Sequence, residues 1–581
     1  PLDSLLWKLL SCVILVASLP LIWYLKFLSF GKTHPIFGIT LVAAWWIALA
    51  QAVGLKVLTR RSLGLCIVLM LLLDGLVFQT YVIFQGVTDY PFSLGWSEAS
   101  RYYYGSLPFS ESLYGMQLPL SIWHGTRYFL LAIPFLIKGL PLWADRLWQS
   151  LLWFGLTAAT TWILVKRLKP RDISVKLIIG GWFFLFLFQG AVYYHLQICV
   201  ILILLGVSPS RPWRSLMAVI AASFWAGMSR INWYPVPAML AISLYMLEVP
   251  YRPTNHFWKY IAAPALWMAV GLLVALGGQA FYIWISGNTD LSAFNSSLHS
   301  PLLWYRWFPN DTNPLGIVPG ILLVSLPIFA LLFQSLRGHL SYLHLLRWLG
   351  LLAIVVVLFL GGLVVSSKIG GGGDLHNMDA YMVTLGLLAA YFLTQRVQPE
   401  TDSSPRLEAA TWPILVALLV VPTAFSLSRL SQPIQYDRAQ ASRDLSSLRT
   451  IVQAYSKSGE VLFMYERHLL TFGTISDIPL VQDYEVLPLM EMAISDNQPY
   501  LAKFNQDILN HRFAAIVARK PNLRSSGGDF AEESNVWNHL VAYPLLCEYQ
   551  PVLTLQSSNI QVFVPRATRD CPSSRYFPDQ P

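Results

Sequence analysis

The sequence predicts a polytopic α-helical membrane protein with a small α/β domain at its C-terminal end. Three observations carry that expectation. Of 581 residues, 55% are hydrophobic and 12% are charged. Apolar runs recur from residue 5 to residue 428, and many approach the roughly 17–25 residues that cover a hydrocarbon layer of about 30 Å. From residue 429 onward polar residues return, and short apolar stretches alternate with helix-like segments.

The apolar runs fall near 5–25, 35–56, 62–85, 147–166, 173–189, 191–207, 214–230, 235–249, 258–285, 314–335, 346–366, 379–395 and 411–428. Read as spans, they give about 13 transmembrane helices. The first has no small-residue cleavage site and another run follows at once, so a retained helix is expected rather than a signal peptide. If the N-terminus is cytoplasmic, 17 Lys and Arg residues lie on the inner side and nine in outer loops. That asymmetry obeys the positive-inside rule, and thirteen crossings then place residues 429–581 outside the cell membrane. The segment 126–143 is apolar but short, and Pro134, Gly139 and Pro141 interrupt it. Full crossing would put the basic run at 166–172 outside, so an interfacial or re-entrant helix pair is expected.

Two units result: a transmembrane domain over 1–428, with a first outer loop at 86–125, and an extracytoplasmic α/β domain over 429–581. In the second, Val461–Tyr465, Ala514–Ala518, Val552–Leu555 and Ile560–Val564 read as strands, and Leu487–Ile494 and Tyr500–Asn510 as helices. No glycine fingerprint for a nucleotide follows a strand. Cys12, Cys66 and Cys199 lie in apolar runs, whereas Cys547 and Cys571 share the polar region and could pair if it is extracytoplasmic. The net charge of +9 flanks apolar segments instead of clustering, which excludes nucleic acid as the expected partner.

The chemically loaded stretches all fall on the predicted outer side. The 86–125 loop carries Asp89, Glu98, Arg101 and the run Tyr102, Tyr103, Tyr104, with glycines and prolines that forbid one long helix. Asp89 and Glu98 are both candidates for a general base that accepts a hydroxyl proton. Arg101, a helical turn from Glu98, could orient it or hold a leaving phosphate, and the tyrosines offer flat faces to a sugar or lipid head. A second constellation combines Lys368, Gly370, Gly371, Gly372, Gly373 and His376 with Arg230 at the end of another span. Successive glycine amides can turn toward one anion, and an arginine can grip phosphate bidentately. Asp374 with His376 offers a divalent metal two ligands at i, i+2, thin support for a metal, and no other cofactor is expected. Asp74 is the one clear acidic residue at depth in a span, suited to a helix–helix hydrogen bond or a polar cavity. Charges concentrated at one face suit an enzyme better than a transporter, which more often places them mid-bilayer.

The Ser97-Glu98-Ala-Ser-Arg101-Tyr102 stretch resembles the acidic-x-x-Arg-Tyr pattern in the first extracytoplasmic loop of GT-C membrane glycosyltransferases. That class includes protein O-mannosyltransferases and lipid A aminoarabinose transferases. The resemblance extends to the many helices, the interfacial segment and an outer C-terminal domain. It implies an inverting transfer of a sugar from a polyprenyl-phosphate-linked donor to a glycan, lipid or protein acceptor, with Glu98 as the catalytic carboxylate and Asp89 its competitor. The alternative reading is a non-catalytic subunit or scaffold that docks other membrane subunits.

Overall fold

A computed structural model describes residues 5–28, 39–251, 256–288, 294, 296, 299–337, 342–371, 374–400, 407, 409–431, 435–523, 528–555 and 557–572. Helices form in all thirteen predicted apolar runs, but among the described residues six of them are long and apolar enough to cross a membrane: Leu5–Leu28, Ile39–Thr59, Leu63–Phe84, Phe257–Ser286, Ile317–Leu336 and Leu345–Ser366. The expectation of 13 spans is therefore corrected. At 1.5 Å per residue, Tyr194–Gly206 and Val236–Glu248, 13 residues each, fall well short of the hydrocarbon thickness. Leu142–Leu168 is long enough but carries Asp145, Arg146, Lys166 and Arg167. The parity that placed residues 429–581 opposite the N-terminus rested on thirteen crossings and no longer holds.

The chain is a helical membrane protein whose shorter helices sit inside the bundle. Asp379–Leu393 is buried along almost its whole length, and Val236–Glu248 nearly so. Small residues let helices approach closely: a Cβ on Gly227 would stand 2.0 Å from the Ala275 carbonyl oxygen, and one on Gly278 2.6 Å from that of Phe224. Asp74 accepts a hydrogen bond from Gln51 Nε2 (3.1 Å), and that amide also donates to Ser18 (2.7 Å). It thus ties the first three helices together. The 126–143 segment forms the helix Gly125–Leu131 and a 3-10 turn, Ile133–Leu136, both too short to cross.

The C-terminal unit matches the predicted alternation. Its sheet contains β1 (Glu460–Phe463), β2 (Phe513–Arg519), β3 (Tyr549–Leu555) and β4 (Ile560–Pro565) in the order β1-β2-β4-β3. β1 and β2 are parallel, and the other pairs antiparallel. Side chains of successive strand residues point to opposite faces. Val461 and Phe463 accordingly pack with Leu448 and Val452 of the helix Arg438–Tyr455, while Leu462 packs with Phe504 and Ile508 of Gln498–Leu509. Cys547 and Cys571 form a disulfide. Tyr90 and Phe92 of the 86–125 loop join the first of these two clusters, so the core of this unit continues into the loop.

Candidate functional site

The loop segment 88–98 is built around one buried ion pair. Glu98 opens the helix Glu98–Ser106, where a carboxylate suits the helix N-terminus. Its oxygens accept from Arg146 Nε (3.0 Å) and Nη2 (3.1 Å), from the Leu94 backbone N–H (2.5 Å) and from the Tyr102 hydroxyl (3.4 Å). Arg146 sends its other donors to the carbonyls of Thr88, Tyr90 and Phe92 at 2.7–3.0 Å. Burial pushes the Glu98 carboxyl up, but the Arg146 hydrogen bonds and charge outweigh it and hold the group below its ordinary value. The residue that orients Glu98 is thus Arg146, not the predicted Arg101, whose buried Nε has no hydrogen-bond partner among the described residues. Asp89 stands apart on the surface, 3.2 Å from an exposed Arg438.

The tyrosine run faces inward. Tyr102 meets Phe472 edge-on, Tyr103 lies under the Arg467 guanidinium (4.9 Å), and the Tyr104 hydroxyl donates to Glu485 (2.8 Å). All three are buried, so the open platform expected for a sugar is closed by the C-terminal unit. Glu466 of that unit accepts from the Ser93 backbone N–H (3.1 Å) and hydroxyl (2.5 Å), and His468 Nε2 bonds the Pro91 carbonyl (2.8 Å). Burial raises the Glu466 carboxyl to about 7 and lowers His468 to about 4. The His468 ring is therefore neutral near pH 7 and donates from Nε2.

The glycine run is also engaged. Gly370 has φ +74° and gives its amide to Glu533 (2.7 Å), which Arg306 holds through both oxygens (2.8 Å). The Gly371 amide closes a turn onto the Lys368 carbonyl (2.8 Å). Gly372 and Gly373 lie outside the described residues. The amides of Gly370 and Gly371 therefore point at protein acceptors instead of forming the anion cradle read from the sequence. Burial lowers the Lys368 ammonium from its ordinary value, with Glu491 acting against that and Arg230 adding to it.

A different part of the second constellation does converge. Arg230 Nη2 donates to Asn377 Oδ1 (2.9 Å), and Asn377 Nδ2 donates to the Gly371 carbonyl (2.6 Å). His376 bonds Asp374 through Nδ1 and also through its backbone amide (2.9 Å). These groups surround Tyr193, the residue before the helix Tyr194–Gly206. Around its ring stand the guanidinium carbons of Arg230 (5.4 Å) and Arg127 (5.7 Å) and the ring of His376 (5.7 Å). Arg230 Nη1, Arg127 Nε, His124 Nδ1 and both nitrogens of His195 are buried without hydrogen-bond partners among the described residues. His124 adopts φ +60° ahead of Gly125, where a Cβ would strike the Tyr282 ring at 2.3 Å.

Electrostatics follow from this crowding. Burial opposes a charged imidazole at His376, but Tyr193 and the Asp374 carboxylate more than offset it and raise the ring to about 9. Asp374 is held below the usual carboxylate range, chiefly by His376 against burial. Burial raises the Tyr193 phenol, yet His376, Arg230 and Arg127 together pull it below its ordinary value. The cluster is cationic and suited to an anion. Among the described residues no group of three or more His, Cys, Asp and Glu is placed to hold a metal ion. Sequence reasoning passes over Arg127, Tyr193 and His195, because Arg127 lies 66 residues before Tyr193 and still further before His195; the two helix starts that deliver them, at 125 and 194, give the one local signal.

No known family's sequence model matches this chain, and no curated protein aligns with it significantly.

Proposed function

We propose that this chain is a membrane glycosyltransferase that takes a sugar from a polyprenyl-phosphate-linked donor, with the donor phosphate on Arg230 and His376. The observation that carries the reading is the pair of cations Arg230 and His376 beside the Tyr193 ring, with a buried donor on Arg230 that no acceptor among the described residues takes. A membrane lipid with an anionic head is the ligand such a site at the end of bundle helices would take. Departure of a phosphate needs no second carboxylic acid, so one base on the acceptor hydroxyl suffices, unlike the paired carboxylates of glycosidases. Asp89 fits that role better than Glu98, because its surface pair with Arg438 is weak and Glu98 has its acceptor positions filled. The acceptor is a glycan, lipid or protein hydroxyl.

One observation favours the rival, a non-catalytic membrane subunit: Glu98 and the Gly370 amide are spent on internal contacts. The separating experiment measures sugar transfer from polyprenyl-phosphate donors by the full chain in nanodiscs. Arg230→Gln should raise the apparent KM for donor, and Asp89→Asn should lower kcat by about 10²–10⁴-fold. Transfer at the parent rate in Asp89→Asn and in Glu98→Gln, with folding intact, refutes a loop carboxylate as base. Absence of any donor binding by the parent protein favours the subunit.

A further inference from the structure

Arg127 has no role in the reading above, yet its position needs one. It sits on the short helix Gly125–Leu131, with its guanidinium over one side of the Tyr193 ring and Arg230 within similar reach of the same ring. Among the described residues neither arginine pairs with a carboxylate: Arg230 has the neutral Asn377 amide, and the neighbours that act on Arg127 are the hydroxyls of Tyr194, Tyr128 and Tyr193. Asp374 is bonded to His376, and Asp379, whose carboxylate is within electrostatic reach of Arg230 but not bonded to it, accepts from Trp233 Nε1 (3.1 Å) and the Ala380 amide (2.7 Å). A buried guanidinium with no carboxylate bonded to it is costly. Two of them sharing one aromatic ring form a site whose missing partners are anionic.

We propose that the ligand of this pocket carries two negative centres that straddle Tyr193, one held by Arg230 and His376 and the other by Arg127. This rests on the lipid-linked donor reading and narrows it. A simple polyprenyl-phosphate hexose is a diester with one negative charge. The second centre is either a second phosphate, in a diphosphate-linked donor, or a carboxylate on the transferred sugar. The rings of His195, which burial keeps neutral, and Trp233 stand 4.7 Å apart beside Tyr193. They supply an apolar face and imidazole nitrogens that have no hydrogen-bond partner among the described residues, for the uncharged part of the head group.

The test uses the full chain in nanodiscs and three lipids with one polyprenyl chain: a phosphate-linked glucose, a diphosphate-linked glucose and a phosphate-linked glucuronic acid. One of the two dianionic lipids should bind about tenfold or more tighter than phosphate-linked glucose. Which of them does so distinguishes the second phosphate from the carboxylate. Arg127→Gln should erase that preference and leave the affinity for phosphate-linked glucose in place, while Arg127→Lys should keep part of it. Arg127→Lys also answers for the case in which the glutamine variant does not fold. Equal binding of all three lipids by the parent, or a preference that survives Arg127→Gln, overturns the two-centre assignment but leaves the donor reading standing. If none of the three binds, both fall.

Discussion

Arg146 directs two N–H groups at the Glu98 carboxylate, at 3.0 and 3.1 Å, and the rest at the carbonyls of Thr88, Tyr90 and Phe92. The pair joins two elements separated by 48 residues, the start of the loop helix and the start of Leu142–Leu168. Both side chains are almost fully excluded from solvent. A pair so placed is not a source of net stability in itself, but breaking it strands a charge and several carbonyls.

Arg146→Met should therefore destabilise the protein by about 3–5 kcal/mol. Glu98→Gln, which keeps shape and some acceptor capacity, should cost less. Thermal unfolding in detergent, followed with protease sensitivity of the 88–98 segment, reads both. If Arg146→Met unfolds at the parent temperature with its loop still protected, the pair does not organise the loop.

Glu466 gives the loop a pH dependence. Its carboxyl has an ordinary value of 4.5 and is raised to about 7 in the fold, by burial first and by the Glu98 charge besides, against the pull of Ser93. The folded state thus holds the proton more tightly than the unfolded chain. The stability this confers is complete below about pH 4.5 and is lost as pH rises through 7. Glutamine mimics the protonated acid and still accepts from Ser93. Glu466→Gln should match the parent in thermal stability at pH 5 and exceed it at pH 8. An equal difference at both values would show that the carboxyl does not titrate there.

The fold was legible where local pattern decides structure. The strand over 513–519 and the helices over 486–494 and 498–509 follow from alternation and apolar periodicity and lie within a few residues of expectation. The helices of the bundle were legible too, but not how many of them cross. A 15-residue apolar helix such as Asp379–Leu393 reads like a span until its neighbours are known to bury it on all sides. The site was harder. Arg230 and His376 announce themselves as polar groups at the ends of apolar runs, three residues from Trp233 and Gly373 respectively. Arg146 and Arg127 do not, because their meaning lies in partners 48 and 66 residues away, Glu98 and Tyr193. The glycine run misleads in the opposite way: its amides suit an anion, and the carboxylate that takes the first of them is Glu533 of the protein itself.

Close helix contact predicts a second stability effect. Gly227 ends the helix Pro212–Gly227, and a Cβ there would lie 2.0 Å from the Ala275 carbonyl oxygen, a backbone atom that cannot turn aside. Gly227→Ala should force Phe257–Ser286 outward and cost about 1–3 kcal/mol. Gly277, whose Cβ would meet nothing within 4 Å, is the control on the same helix pair, and Gly277→Ala should be neutral or slightly stabilising. Thermal midpoints of the two variants in one detergent make the comparison. The packing argument fails if they shift alike.

The Asp374–His376 pair gives the sharpest pH dependence near the proposed phosphate site. His376 has an ordinary value of 6.5 and rises to about 9 in the fold, because Tyr193 and Asp374 favour the imidazolium more than burial disfavours it, with Arg230 opposing. Asp374 moves the other way, from 3.8 to below the usual range. For the histidine, whose folded value is raised, the contribution is complete below about pH 6.5 and is lost as pH climbs through 9. For the aspartate, whose folded value is depressed, the contribution is present above about pH 3.8 and is lost as pH falls through its lower folded value. The pair therefore contributes most between about pH 4 and 6.5. Asp374→Asn removes the partner and should return His376 toward 6.5. Subtracting the thermal stability of this variant from that of the parent at each pH isolates the pair. The difference should be largest at pH 5–6.5 and shrink steadily toward pH 9, and affinity for a phosphate-bearing lipid should fall over the same upper range as the imidazolium loses its proton. A difference that stays flat from pH 5 to pH 9 would mean that the ring is not held charged, and His376 would lose its place as a phosphate ligand.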